Sequence, residues 1–291
     1  MAKIIRAMTQ DGSARAFIIE GRDIVNRAIE IHHTAPTATA ALGRVLLATS
    51  LMGSMMGEKE DALTLRFQGD GEGGTVLASS DYSGNVRGLI GNPDCDLPLR
   101  ESDGKLDVGK CIGNGYLTVI RDAGGKEPWQ GTCEIQNGEV AQDIAYYYAF
   151  SEQVPTLCAL GVLVDVDYSC KEAGGIIIQL LPFADEAVAE KLEENAKKMP
   201  PITTALQVAS LEDILAGYLD GIPFDIFDEF DCEYRCDCSR DRTDRALISL
   251  GKKQLRELID DPEETMEMTC RFCDNIYKYS KDDLKALLES L

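Results

Sequence analysis

The spacing of apolar positions changes several times along the chain, and each change marks an element. Ile4, Ile5 and Met8, then Phe17 to Ile19, flank an Asp11-Gly12 turn and predict an opening β-hairpin. Helical spacing follows over residues 23–33 and 37–56, with Pro36 near the start of the second helix, where its fixed φ suits a first turn. Leu63, Leu65 and Phe67 alternate with polar neighbours as a half-buried strand does. Glycine-rich turns then separate short strands through residues 116–121, and a helix is expected over 140–150. Residues 157–166 and 175–181 read as two apolar strands, the second entered through Ala173-Gly174-Gly175. This mixture predicts an α+β domain over residues 1–181.

From 182 to 231 the pattern turns helical and acidic, with 12 acidic against 3 basic side chains. One amphipathic helix carries Ala184, Val188, Leu192 and Ala196 and ends at Pro200-Pro201. A second carries Val208, Leu211, Leu215 and Leu219 before Gly221. This helical connector is not a flexible linker, because its apolar stripes must rest on something. Residues 232–291 form a third, more polar segment. Thr243 can cap a short helix ending at Gly251, and residues 254–259 make another turn or two. Residues 265–269 and 276–279 pair as strands, and Ser280 with Asp283 resembles a capping box opening a last helix through Leu284, Leu287 and Leu288. A segment this short and polar has a thin core and needs a staple.

Charge and composition narrow the function. The net charge of −21 repels phosphate, so a broad nucleic-acid surface is not expected. The most apolar window, 45–56, is too short for the roughly 20 residues of a membrane span. The first ten residues contain no apolar signal-peptide core, so the expectation is a reducing, cytoplasmic compartment. In such a compartment clustered cysteines bind metal or do redox chemistry more often than they staple a fold.

Five of the ten cysteines fall in the last segment, four of them as Cys236-Asp-Cys238 and Cys270-Arg-Phe-Cys273. Two close pairs separated by a folded insert are what a tetrahedral zinc site needs, each pair supplying two sulfurs. A closed four-sulfur site leaves no position for water, so zinc here is expected to be structural or regulatory rather than hydrolytic. The Cys-x-Cys pair suggests the second: binding metal and forming a disulfide demand different local backbones. Zinc binding worth roughly 10–16 kcal/mol in small modules matches a domain's whole stability of roughly 5–15 kcal/mol, so losing the metal should unfold the segment.

These cysteine pairs, with Ser239-Arg-Asp-Arg242 and the later Tyr277 and Tyr279, resemble the zinc module of the redox-regulated 33-kilodalton heat-shock chaperones. The resemblance extends upstream, in that family's order, through Ala40-Ala-Leu-Gly-Arg44, Gly69-Asp-Gly71, Gly113-Asn-Gly-Tyr-Leu117, Ser151-Glu-Gln-Val-Pro155, Ala173-Gly-Gly175 and Gln179-Leu-Leu-Pro182. It implies an ATP-independent holdase rather than an enzyme. It also implies one zinc per reduced, inactive chain, held by Cys236, Cys238, Cys270 and Cys273. Peroxide with heat, or hypochlorous acid, then pairs Cys236 with Cys238 and Cys270 with Cys273; zinc leaves, the module unfolds, and unfolding client proteins are bound, usually by a homodimer. The family's division of labour would make 1–181 the chaperone domain, 182–231 the linker and 232–291 the redox switch.

Other features carry weaker readings. Cys232 is an inert thiol, a substitute ligand or an off-pathway disulfide partner, and Cys95, Cys111, Cys133, Cys158 and Cys170 read mostly as small buried hydrophobes. Gly69 to Gly74 satisfies GxGxxG, but a strand rather than a helix follows, which makes it a hairpin turn. His32-His33 reads as a surface or helix-end pair and Ser151-Glu152-Gln153 as a structural corner. Two alternatives remain: a thiol-disulfide oxidoreductase using Cys270 and Cys273, and a zinc ribbon binding nucleic acid through Arg235, Arg240, Arg242 and Arg245. The second is disfavoured if those arginines pair with the connector's carboxylates.

Overall fold

The opening hairpin forms as β1 (Ala2–Thr9) and β2 (Ala14–Glu20), joined by a turn in which Asp11 accepts hydrogen bonds from the Ser13 backbone and hydroxyl. The structure, a computed structural model, describes residues 1–291 apart from 125, 126, 183 and 262. It is α+β and divides into two compact units, Met1–Arg235 and Cys236–Leu291.

In the first unit the hairpin is followed by α1 (Arg22–His32), α2 (Pro36–Gly53), β3 (Ala62–Gly69), β4 (Val76–Asp81), β5 (Val86–Ile90), α3 (Val108–Ile112), β6 (Gly115–Asp122) and β7 (Trp129–Glu134). Next come α4 (Ala141–Tyr147), continued by a π-helical turn, β8 (Thr156–Val164), β9 (Cys170–Leu180), α5 (Glu186–Lys198), α6 (Ile202–Leu206), α7 (Leu211–Tyr218) and β10 (Phe224–Cys232). Two antiparallel sheets result, ordered β10-β1-β2-β9-β8 and β5-β4-β3-β6-β7.

Helix α2 is buried on every side apart from Pro36 and Arg44, and it is accordingly rich in small and apolar residues all round. Its Leu42, Leu46, Leu47 and Leu51 share one core with Ile4 and Ile19 of the first sheet and Leu63, Leu65 and Phe67 of the second. The first sheet is covered on both faces. Ile4, Ile19 and Ile177 face that core, and the alternate residues Ile5, Ile18, Ile176 and Ile178 meet Leu192, Leu211, Ile214, Leu215 and Tyr218 of α5 and α7. The connector's apolar stripes therefore rest on the outer face of this sheet.

The structure revises several sequence expectations. Ala173-Gly174-Gly175 is not an entry turn but lies inside β9, where a Cβ on Gly174 would stand 2.6 Å from Leu206 and 2.5 Å from the Ile19 carbonyl oxygen. The described residues of 182–231 hold three helices and a strand rather than two helices. Val208 is 84% exposed and leaves the stripe, whereas Leu211, Leu215 and Leu219 stay buried. Helix α2 stops at Gly53, short of residue 56. No helix among the described residues is long and apolar enough to cross a membrane.

The second unit contains α8 (Arg240–Leu250), α9 (Lys252–Asp260), the hairpin β11 (Thr265–Thr269) with β12 (Ile276–Ser280), and α10 (Lys281–Glu289). Ser239, not Thr243, caps α8 by accepting from the Arg242 N–H; the Thr243 hydroxyl instead reaches Tyr279. Ser280 and Asp283 do form a capping box on α10. The core is thin, with Leu247, Leu255, Tyr279 and Leu284 buried.

Candidate metal centre

Two short segments of the second unit bring four sulfurs together. Cys236 and Cys238 lie in the irregular stretch ahead of α8, and the Arg242 guanidinium holds the residue between them through an ion pair to Asp237 at 2.6 Å. Cys270 and Cys273 occupy the turn of the β11–β12 hairpin. There the Cys270 carbonyl accepts from the N–H groups of Cys273 (3.3 Å) and Asp274 (2.8 Å), and the Cys270 N–H donates to the Asn275 carbonyl at 2.9 Å. Asp274 closes this turn in the left-handed region, at φ 56°. The turn thus curls the backbone around its own two sulfurs.

Helix α8 and the hairpin are fastened by side chains. The Arg240 guanidinium sits 4.3 Å from the Tyr279 ring centre, donates to the Lys278 carbonyl at 2.7 Å and pairs with Asp283 at 3.2 Å. The Tyr279 hydroxyl donates to Asp244 at 2.7 Å. These contacts fix the Cys-x-Cys segment, which leads into α8, against the Cys-x-x-Cys turn.

All four sulfurs lie within 4.8 Å of one another. Cys236 and Cys270 approach to 3.7 Å and Cys238 and Cys273 to 3.3 Å. A tetrahedron with metal–sulfur bonds of about 2.3 Å has sulfur–sulfur edges of about 3.8 Å, so this donor set has the size and softness that zinc takes.

The surroundings of the thiols differ. Burial pushes Cys236 up to about 11 and raises Cys273 as well. At Cys238 burial opposes ionisation too, but hydrogen bonds from the Tyr277 hydroxyl and the neighbouring thiols outweigh it and bring the thiol down to about 7. Tyr277 donates to Cys238 Sγ at 3.1 Å and is itself held up to about 12 by that bond, while Asn275 Nδ2 approaches the same sulfur at 3.7 Å. Four neighbouring thiols cannot all ionise without a cation among them, because like charges in one site suppress each other. A dication removes that obstacle.

Tyr277 stands in a sequence motif whose spacing assigns it no role, and neither Asn275 nor Asp237 stands out in the sequence. The one available signal was the position of Tyr277 shortly after the second cysteine pair on an alternating strand. The remaining predicted residues lie elsewhere. Cys232 is fully buried in β10, with Sγ 3.9 Å from the Ser50 hydroxyl, and burial raises it to about 12. Cys95, Cys111, Cys133 and Cys170 are buried and Cys158 half-buried. His32 and His33 do end α1, and Gly69 to Gly74 joins two strands with no helix after it.

Arg235, Arg240 and Arg242 find carboxylates, though not those of the connector: Arg235 pairs with Asp81 at 2.7 Å, and Arg240 and Arg242 with Asp283 and Asp237 of their own unit. The Cys-x-x-Cys pair sits in a hairpin turn and not at a helix N-terminus, the position that activates a redox thiol. Both alternative functions lose ground accordingly.

A family model described as Hsp33 protein matches residues 2–280. The 33 kDa chaperonin of Clostridium perfringens (strain SM101 / Type A) is 47% identical over 99% of this chain and 91% of its own length. That of Clostridium novyi (strain NT) is 45% identical over 99% and 98%. The crystal structure of the 33 kDa chaperonin (heat shock protein 33 homologue) from Thermotoga maritima superimposes with a TM-score of 0.89 at 34% identity, covering 99% of this chain and 98% of that one.

Proposed function

The chain belongs to the Hsp33 family, and from that premise we propose that it is a redox-switched, ATP-independent holdase of the bacterial cytosol that binds unfolding proteins under oxidative and heat stress. The observation that carries this reading is the set of four cysteine sulfurs within 4.8 Å of one another in a unit with so few buried apolar residues. Cys236, Cys238, Cys270 and Cys273 would hold one zinc per reduced chain. Bound there, zinc keeps the sulfurs as thiolates and cross-links the two segments of the unit.

The chain's own residues supply the rest. Tyr277 stabilises the Cys238 thiolate, and the Cys270 turn and Arg240 hold the segments together. With peroxide as oxidant, the Cys236 and Cys238 thiolates give up two electrons to form a disulfide, and one peroxide takes those electrons and two protons from solvent to become two waters. Cys270 and Cys273 do the same with a second peroxide. Each disulfide removes two ligands from the cage, and a unit with so small a core has little else to keep it folded. Residues 232–291 then act as the switch, 182–231 as the linker that loosens, and 1–181 as the chaperone domain, with a homodimer as the active form. The connector's acidic side chains keep the opened surface soluble.

The test is light scattering from a heat-denatured client with reduced and with peroxide-treated protein. Suppression by the treated form only, together with peptide mapping that finds Cys236–Cys238 and Cys270–Cys273, is the expected result; equal suppression by both forms removes the switch.

A further inference from the structure

Strand β10 is an unusual occupant of its sheet. It pairs with β1, from Ala2 opposite Cys232 to Thr9 opposite Phe224, and among the described residues has no strand on its other side. Apart from Cys232 its residues are exposed or half-buried, with Ile226 at 44% and Phe227 at 64% exposure. Strand β1 is the opposite: Ala2 and Ile4 are sunk in one core, and Ile5 and Ala7 in the other. Cys232 is buried in one core, Phe230 packs against it and Phe224 against the other, so β10 is held apolarly near its two ends only, whereas β1 is sunk in both cores along its length and remains in place if β10 leaves.

Between those ends β10 is held by main-chain pairing and charge. Lys3 pairs with Glu229, Arg6 with Asp228, and the Gln10 amide donates to Asp225 at 3.1 Å. Such exposed pairs contribute little stability but discriminate between partners. The fit is also imperfect. The register slips between Arg6 and Ala7, whose partners are Asp228 and Ile226, so that Phe227 bulges out of the pairing.

The end of β10 is tied down close to the cage in sequence. The Val86 N–H donates to the Glu233 carbonyl and the Arg235 N–H to the Val86 carbonyl, both at 2.9 Å, and the Tyr234 hydroxyl donates to the Gly88 carbonyl at 2.9 Å. The next residue is Cys236.

We propose that β10 is a displaceable occupant of the β1 edge, and that the vacated edge takes an extended client segment of alternating apolar and acidic residues as a new antiparallel strand. The inference rests on the holdase reading for its trigger, the unfolding of the cage that begins at Cys236. The occupant is specified by charge: an acidic, apolar-alternating strand reproduces the partners that Lys3 and Arg6 have now, and strand addition supplies the main-chain bonds. A second copy pairing β1 against β1 would instead bring lysine and arginine side chains together.

The experiment measures binding of a labelled peptide with the sequence of residues 224–231, and of the same peptide with its acidic residues replaced by lysine, to the full chain. Reduced, peroxide-treated and reduced Lys3→Glu/Arg6→Glu forms are compared, with zinc and thiols counted in each. The acidic peptide should bind the peroxide-treated chain at least about tenfold more tightly than the reduced one, because the competent edge is then more populated. The double variant, its β10 pairing weakened without oxidant, should prefer the lysine peptide. The proposal is overturned if the acidic peptide gains nothing on a chain that has lost its zinc, a result that leaves the holdase reading standing and points to a second copy refilling the edge. It is equally overturned if the two peptides bind the wild type and the variant alike. Should peroxide leave the cage intact, the holdase reading fails, and the reduced variant still decides whether the edge reads charge.

Discussion

Tyr277 is the side chain outside the sulfur set on which the centre most visibly depends. Its hydroxyl donates to Cys238 Sγ at 3.1 Å, and partners of this kind typically contribute about 10–100-fold to metal affinity. Tyr277→Phe should keep the fold and the zinc stoichiometry while weakening zinc by about tenfold, read by competition with a chromophoric chelator. Cys232 makes the contrasting case. Buried in β10 beside Ser50, it should be dispensable for metal, so Cys232→Ala retains the zinc content of the wild type, measured by mass; loss of zinc would make it a ligand. The four cysteines were legible in the sequence because metal chemistry restricts residue type and spacing together. Tyr277 was not, because its contact crosses 39 positions and exists only once β12 is paired and α8 is capped.

Among the elements, α5–α7 and β10 divide the connector into a firmly held part and a loosely held part. Leu215 is fully buried against the sheet, and Leu215→Ala should cost about 2–5 kcal/mol, measured by urea unfolding of the first unit. Strand β10 should respond to acid instead. The hydrogen bond and charge of Arg6 lower the Asp228 pKa. A depressed carboxylate contributes stability above its unfolded value near 4, and that contribution is lost as pH falls through the folded value. Amide exchange in β10 should therefore accelerate relative to β2 as pH drops below about 4, after correction for the intrinsic rate; parallel behaviour would show that the Arg6 pair does not hold the strand. The helices α5 and α7 could be read from their apolar stripes. Strand β10 could not, because Phe-Asp-Ile-Phe-Asp-Glu-Phe-Asp has the charge of a solvated linker, and its partner lies more than 200 residues away.

At the scale of the whole molecule the two units differ in what keeps them folded. The first has two extensive apolar cores around a sheet buried on both faces, which residue periodicity foretold in part: the strands were visible, the sheet order was not, since β1 is flanked by β2 and by a strand from the far end of the unit. The second unit has a small core and a sulfur cage, an imbalance that composition alone anticipated. That asymmetry is the basis of the switch, and it is tested most directly by counting zinc and free thiols before and after peroxide while following amide protection across residues 236–291. The account predicts that about one zinc and about four thiols are lost together and that protection collapses in the second unit while α2 and β1 keep theirs. A chain that loses those four thiols yet keeps its zinc and a protected second unit would contradict it.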